Sequence, residues 1–384
     1  MQHFTPADLA VLALELVPTV TFGLAGDCPA RAAERWPRWL KILLPALCAL
    51  PYVLVTVPHQ MFSWRWLALY AALPVALAWL LTAAAAADPE QKGNWRDALI
   101  LLALGVPVDL RWFESAWPNG LAGLGKLLLV DAGLYGFVVI RQLRGTGFDF
   151  HFRWRDWKTG LRELAFFAPI VIGLGLALGF LQPHPTALRP SMILTWAYIF
   201  VFVAVPEELF FRAWVQNLLE KRITAWLAHV SEIGRGEGMA GKATGGVPRT
   251  AGFGLGGRAL EVAARSWFWV AQRFSAAISA LFSSTALAAE GQQPDPQKPS
   301  MQQALTNHCS PRTAMIARRA ALVIASVLFG LSHFNKRSPT FNWRYVILAT
   351  IAGIFYGRAW RQDRRVPASA ITHASVDAIW TLWF

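Results

Sequence analysis

The stretch VPEELFFRAWVQNLLEKR, residues 205–222, sets Glu207, Glu208 and Arg212 inside a segment otherwise built to sit in lipid. One charged side chain near the bilayer centre costs from about 3 kcal/mol upward, so these residues need a physical reason to be there. On a helix, Glu208 and Arg212 stand four apart with the acidic residue first, the favoured orientation for a side-chain ion pair. Glu207 is rotated about 100° away and has no such partner. A paired carboxylate is structural, whereas an unpaired one in low dielectric can act as a base. Pro206, just before them, lacks an N–H and is expected to kink the helix.

Composition agrees with a membrane setting. Of 384 residues, 55% are hydrophobic, 15% are charged and 19 are Trp, which suits a multispanning membrane protein better than a soluble globule. The net charge of +13 comes from short basic clusters between apolar runs, where a cytoplasmic membrane boundary places them, so we read it as topology and not as nucleic-acid binding. Cys28, Cys48 and Cys309 share no ligand-like or disulfide-like spacing.

Long apolar runs cover 8–26, 39–57, 66–87, 121–140, 165–183, 192–219, 319–334, 343–360 and 367–384, most near the roughly 20 residues that span a hydrocarbon core. The shorter run 97–110 is included because only then do the basic clusters fall on one side. The expected fold is therefore all-α, a polytopic integral membrane protein of about ten transmembrane helices with a polar intramembrane cavity. Residues 1–164 form an N-terminal membrane region of unassigned role. Residues 223–318, Gly-rich, then apolar around Trp267 to Phe282, then polar and Pro-rich, read as a cytosolic, partly flexible insertion with an interfacial helix. The first run carries Glu15 and no convincing cleavage site, so it reads as a retained helix.

Two later helices bring more polar residues to the depth of Glu207. His333, in SVLFGLSHF, lies 14 residues beyond Arg319, and Glu207 lies 14 residues before Lys221, each about 21 Å along a helix. In VPASAITHASVDAIW, His373 and Asp377 share a helix face, eight and twelve residues past Arg365. Three helices thus carry a carboxylate, two imidazoles and a second carboxylate to one layer. Glu15, Lys126 and Asp131 also lie in apolar runs; the last two, five apart, are candidates to snorkel, pair or form a second polar site. Trp380 and Trp383 read as interface anchors, and His59, His151 and the other loop histidines carry no specific reading.

EELFFR (Glu207 to Arg212), FGLSH (Phe329 to His333) and HASVD (His373 to Asp377) together resemble the three motifs of the CAAX protease and bacteriocin-processing family of intramembrane glutamic endopeptidases, related to the type II CAAX prenyl endopeptidases. The resemblance covers about residues 165–384, with 165–222 and 319–384 as the protease core. It implies a helical membrane fold whose cavity opens to the cytosolic side, and hydrolysis of a peptide bond in a membrane-associated protein or peptide. By the same resemblance, Glu207 is the general base, His333 helps to hold the water, His373 and Asp377 stabilise the oxyanion, and Glu208 and Arg212 are the scaffold. Relatives often carry Asn where this chain has Asp377. An ionised Asp cannot donate to an oxyanion, so Asp377 is either protonated or orients His373.

The resemblance implies no cofactor. Glu207, His333, His373 and Asp377 are also a chemically plausible Zn²⁺ or Mn²⁺ set, which leaves a metal-dependent protease as an alternative. A non-catalytic transporter or immunity-type scaffold is the other, with the same residues as a proton or ion relay. Convergence on one layer favours the enzyme over a relay, which needs a path. Membrane lipid is the expected surrounding, and the Ala-, Arg- and Trp-rich usage points to a bacterial inner membrane.

Overall fold

The computed structural model describes residues 5–184, 186–187, 189–240, 311–336 and 341–384. Among these, all regular structure is helical. The chain divides into two compact units, Met1–Ala225 with Ser310–Phe384, and Trp226–Cys309. The candidate site residues all lie in the first.

The helices follow the apolar runs. They are α1 (Pro6–Ala25), α2 (Cys28–Glu34), α3 (Arg38–Leu43), α4 (Ala49–Thr56), α5 (Trp64–Ala87), α6 (Trp95–Asp109), α7 (Gly123–Tyr135), α8 (Trp154–Ala177), α9 (Ser191–Ile199), α10 (Val205–Glu208), α11 (Asn217–Ala240), α12 (Pro311–Leu331), α13 (Trp343–Asp363) and α14 (Val366–Trp383). Seven stretches are long and apolar enough to cross a membrane: Asp8–Ala25, Arg38–Thr56, Trp64–Ala87, Gly123–Ile140, Trp154–Ala177, Ser191–His229 and Pro311–Leu331. The other three expected crossings are helices that fall short of that standard. The 15 residues of α6 reach only about 22 Å. In α13, Arg344, Arg358, Arg361 and Asp363 dilute the apolar character, and α14 carries Ser369, Thr372, His373 and Asp377.

One continuous helical path runs from Ser191 to Ala240 through the opening motif. Pro206 does not break it. The turns on either side, Phe200–Ala204 and Leu209–Gln216, are π-helical, a geometry that accommodates a lost backbone donor and recurs at functional sites. Helix also persists through residues 223–240, which contain no proline, and resumes at Pro311, where the fixed φ of proline suits a first helical position; both segments lie inside the expected insertion. The expected interfacial helix around Trp267 to Phe282 lies outside the described residues.

Helices α12, α13 and α14 pack against the Leu209–Gln216 turn, and α8 packs on α13 and α14. Their shared core includes Phe167, Phe211, Phe329, Phe355 and Tyr356. Close approach of α12 to α13 depends on Gly330, since a Cβ there would overlap Thr350 and come within 2.6 Å of the Val346 carbonyl. The N-terminal helices build a second, larger core around Tyr52, Tyr70, Trp117 and Phe137. Here Asp131 accepts from the Thr19 hydroxyl at 3.4 Å and is not paired with Lys126. Five residues on a helix turn the two side chains to different faces.

The loop between residues 141 and 153 joins the two regions through buried ion pairs. Arg141 donates to Asp97 at 3.0 Å and to Asp88 at 2.6 Å. Arg365, the residue before α14, donates to Asp156 at 2.7 Å and to Asp149 at 2.5 Å. Gly147, at φ +69°, passes so close to the Arg364 carbonyl that a Cβ would overlap it, and its own carbonyl accepts from the Val366 N–H at 2.8 Å. The start of the helix carrying His373 and Asp377 is thereby fixed by the segment that precedes α8. His151, which had no sequence-level reading, contributes its carbonyl to the same clamp, accepting from Arg365 at 2.7 Å. His59 likewise has a partner, Asp8, at 3.0 Å.

Candidate active site

The Glu208–Arg212 pair forms as its four-residue spacing requires, with Arg212 Nε donating to Glu208 Oε2 at 3.0 Å. Both side chains are 0% exposed. Arg212 also donates to Gln216 Oε1 at 3.3 Å and lies 5.5 Å over the Phe329 ring. The second oxygen of Glu208 has a partner that local spacing could not reveal. Glu208 Oε1 accepts from His373 Nδ1 at 2.9 Å, across 165 residues of chain. The carboxylate thus neutralises the arginine and orients the histidine at once.

His373 is held on three sides. Its ring stacks on Tyr356 at 4.5 Å and 15°, and meets Phe329 edge-on at 5.7 Å. With Nδ1 committed to Glu208, Nε2 faces two other carboxylates: Asp377 Oδ2 at 3.5 Å and Glu207 Oε2 at 3.8 Å. The orienting bond to His373 is therefore made by Glu208, the shorter contact, and Asp377 sits at the opposite ring nitrogen.

His333 closes the group from α12. A backbone carbonyl can only accept, so the 2.8 Å contact between His333 Nδ1 and the Phe329 carbonyl puts the ring proton on Nδ1. Nε2 is then an acceptor, and it lies 3.2 Å from the ammonium of Lys336. Lys336 Nζ is also 3.9 Å from Glu207 Oε1.

Glu207 is the carboxylate without a tight partner. Its side chain is 28% exposed, and Oε2 is buried with no hydrogen-bond partner among the described residues. It lines a cavity of about 420 Å³ that also takes in Asp109, Lys126, Asn335 and Lys336 among apolar residues such as Leu104 and Phe210. A smaller cavity of about 80 Å³ is lined by His333, His373, Asp377 and mostly apolar neighbours including Phe167 and Trp380. Trp380 packs on Tyr345 at 5.0 Å and on Phe180 at 5.5 Å.

Glu207, Glu208, Arg212, His333, His373 and Asp377 are thus brought together from the opening motif, α12 and α14. Lys336, Asp109, Lys126 and Tyr356 join them; of these, the sequence marks only Lys126, as a charge inside an apolar run, while Lys336 has a signal available in following His333 by three positions. Among the described residues, no group of three His, Cys, Asp or Glu side chains is arranged so as to hold a metal ion.

Residues 189–236 and 300–379 match the family model described as "Rce1-like: Type II CAAX prenyl endopeptidase Rce1-like". The match is to the family that the three motifs resemble. Both Rce1-like segments contain the convergent residues, with Glu207, Glu208 and Arg212 in the first and His333, His373 and Asp377 in the second. The family is one of proteases, which supports peptidase activity for the chain. No curated protein and no solved structure is detectably similar to the chain.

Proposed function

We propose that the chain is an intramembrane endopeptidase that hydrolyses a peptide bond by attack of a Glu207-activated water. The observation that carries this reading is the Glu207 carboxylate itself: it faces a cavity, has an unpartnered oxygen, and stands beside two histidines whose other ring nitrogens are already fixed. Such a group is free to bond a water and take its proton.

In this mechanism the Glu207 carboxylate removes a proton from water as the oxygen attacks the scissile carbonyl carbon. The carbonyl π electrons move to oxygen and form a tetrahedral oxyanion. His373, oriented by Glu208 and stacked on Tyr356, is the donor to that oxyanion when Nε2 carries a proton. Asp377, on the same side of the ring, accepts from that N–H between turnovers. Collapse of the intermediate breaks the C–N bond, and Glu207 returns its proton to the leaving amine. The products are a carboxylic acid and an amine, with no net change at the protein; the acid then gives up its proton to solvent.

Ten crossings, with the basic clusters on the cytosolic face of a bacterial inner membrane, complete the proposal, as does a membrane-associated protein or peptide as substrate. Against the metal-dependent alternative stand the spacing of the donors among the described residues and Lys336, which lies at His333 Nε2, the nitrogen that ligation by His333 would use; His373 Nε2 faces Glu207 and Asp377 and is not taken by Glu208. The test is incubation of purified protein in detergent with a library of short membrane peptides, cleavage being mapped by mass spectrometry before and after exhaustive chelation. Cleavage that survives chelation supports the proposal. Cleavage lost on chelation and restored by Zn²⁺ or Mn²⁺ selects the metal reading, and absence of cleavage for every peptide favours a relay or scaffold.

A further inference from the structure

Lys336 lies beyond the end of α12, where a cation would ordinarily be explained by the negative end of the helix dipole. Its surroundings are more specific than that. The backbone from which it projects is pinned at several points: the Lys336 N–H donates to the His333 carbonyl at 3.2 Å, and its carbonyl accepts from Asn342 Nδ2 at 3.1 Å. The preceding Asn335 donates from Nδ2 to the Asp109 carbonyl at 3.1 Å. From this fixed base the ammonium reaches two site residues at once, His333 Nε2 at 3.2 Å and Glu207 Oε1 at 3.9 Å. It is also partly open, at 42% exposure, on the cavity that Glu207 lines.

We propose that Lys336 is a positioning residue of the hydrolytic site, one of its N–H groups anchored on His333 and its charge holding the Glu207 carboxylate toward the cavity. The inference rests on reading Glu207 as the base. An ammonium has three donors and no acceptor, so after bonding His333 and facing Glu207 it retains a donor for a water oxygen. His333 cannot supply that donor, since its single ring proton is committed to the Phe329 carbonyl. In this arrangement His333 anchors the lysine, and the lysine, with Glu207, fixes where the water sits. The other charged groups around Glu207 cannot substitute for it. His373 approaches the other oxygen at 3.8 Å and is bound to Glu208, while Lys126 lines the same cavity with no ion-pair contact to Glu207 among the described residues.

The experiment compares purified full-length wild type with Lys336→Met, Lys336→Arg and Lys336→Ala, using a cleaved peptide and thermal unfolding in the same detergent. Loss of a water-positioning group costs on the order of 10²-fold in kcat, while KM should stay within about threefold because the peptide itself is not held by Lys336. Arg should recover part of the rate. Added methylammonium should partly restore Lys336→Ala, whereas tetramethylammonium, which has no N–H, should not. Wild-type kcat in Lys336→Met, a loss confined to KM or to unfolding temperature, or failure of methylammonium to rescue would each overturn the proposal. A separate arm follows the His333 ring by ¹⁵N NMR, assigned with His333→Gln. The Nε2 signal should move in Lys336→Met, and an unmoved signal refutes the anchor. This arm reads the lysine–histidine contact even where wild type cleaves nothing, an outcome that would count against the Glu207 reading instead.

Discussion

Replacing Glu208 with Gln tests whether the buried carboxylate is scaffold or base. Its two oxygens serve two donors, Arg212 Nε at 3.0 Å and His373 Nδ1 at 2.9 Å. A glutamine has one carbonyl oxygen, so one donor must face the amide NH₂, and Arg212 loses its only tight counter-charge. The guanidinium cannot escape to water, because it is 0% exposed and its Nη2 already lacks a partner among the described residues. Removing one partner of a buried pair costs about 3–5 kcal/mol, which is a shift of roughly 10²- to 10⁴-fold in the folding equilibrium. The assay is denaturant-induced unfolding in mixed micelles, with Glu207→Gln run beside it. Glu208→Gln should unfold at markedly lower denaturant, and Glu207→Gln, whose carboxylate has no tight partner, should stay near wild type. Equal midpoints for Glu208→Gln and wild type would refute the division of roles between the adjacent glutamates.

Asp377→Asn should retain substantial turnover, because an amide can still accept from His373 and can donate to the oxyanion; a rate at background with intact folding contradicts this, and kcat is the measurement. Burial disfavours the ionised form of Asp149, but hydrogen bonds from Arg365 and His151 outweigh it and hold the carboxyl at about 2. The folded value lies below the ordinary one near 3.9, so this stabilisation is complete above about pH 4 and is lost as pH falls toward about 2. Asp149→Asn should therefore lower the unfolding temperature at pH 7 and flatten its fall between those limits, checked by thermal scans across pH. Gly330→Ala should cost about 1–3 kcal/mol by overpacking α12 against α13, read as a lower unfolding midpoint.

Sequence reasoning reached the elements of the site that depend on local spacing. The Glu208–Arg212 pair and the shared face of His373 and Asp377 are four-residue relations on single helices, and equal distances from basic boundaries brought three helices to one layer. What escaped it depends on partners far apart in the chain. Nothing near Glu208 announces that its second oxygen belongs to His373, and nothing in the pattern of charges singles out Lys336, which lies past the end of α12 and contacts His333. Of the ten expected crossings, α14 falls short of a lipid-facing span's apolar character because it carries His373 and Asp377 on a helix packed between α8 and α13, where less apolar surface is needed. The π-helical turns around Pro206 have no distinct periodicity in so short a run, so the sequence pattern does not reveal them.

The central claim is that Glu207 activates the attacking water, and single-turnover cleavage by purified Glu207→Gln tests it most directly. The substitution keeps the size of the side chain and removes only the proton acceptor, while unfolding and peptide binding are measured on the same preparation. A fall of at least about 10²-fold in the chemical step, with folding and peptide affinity near wild type, is the predicted result. Cleavage at the wild-type rate by the well-folded variant would contradict the account.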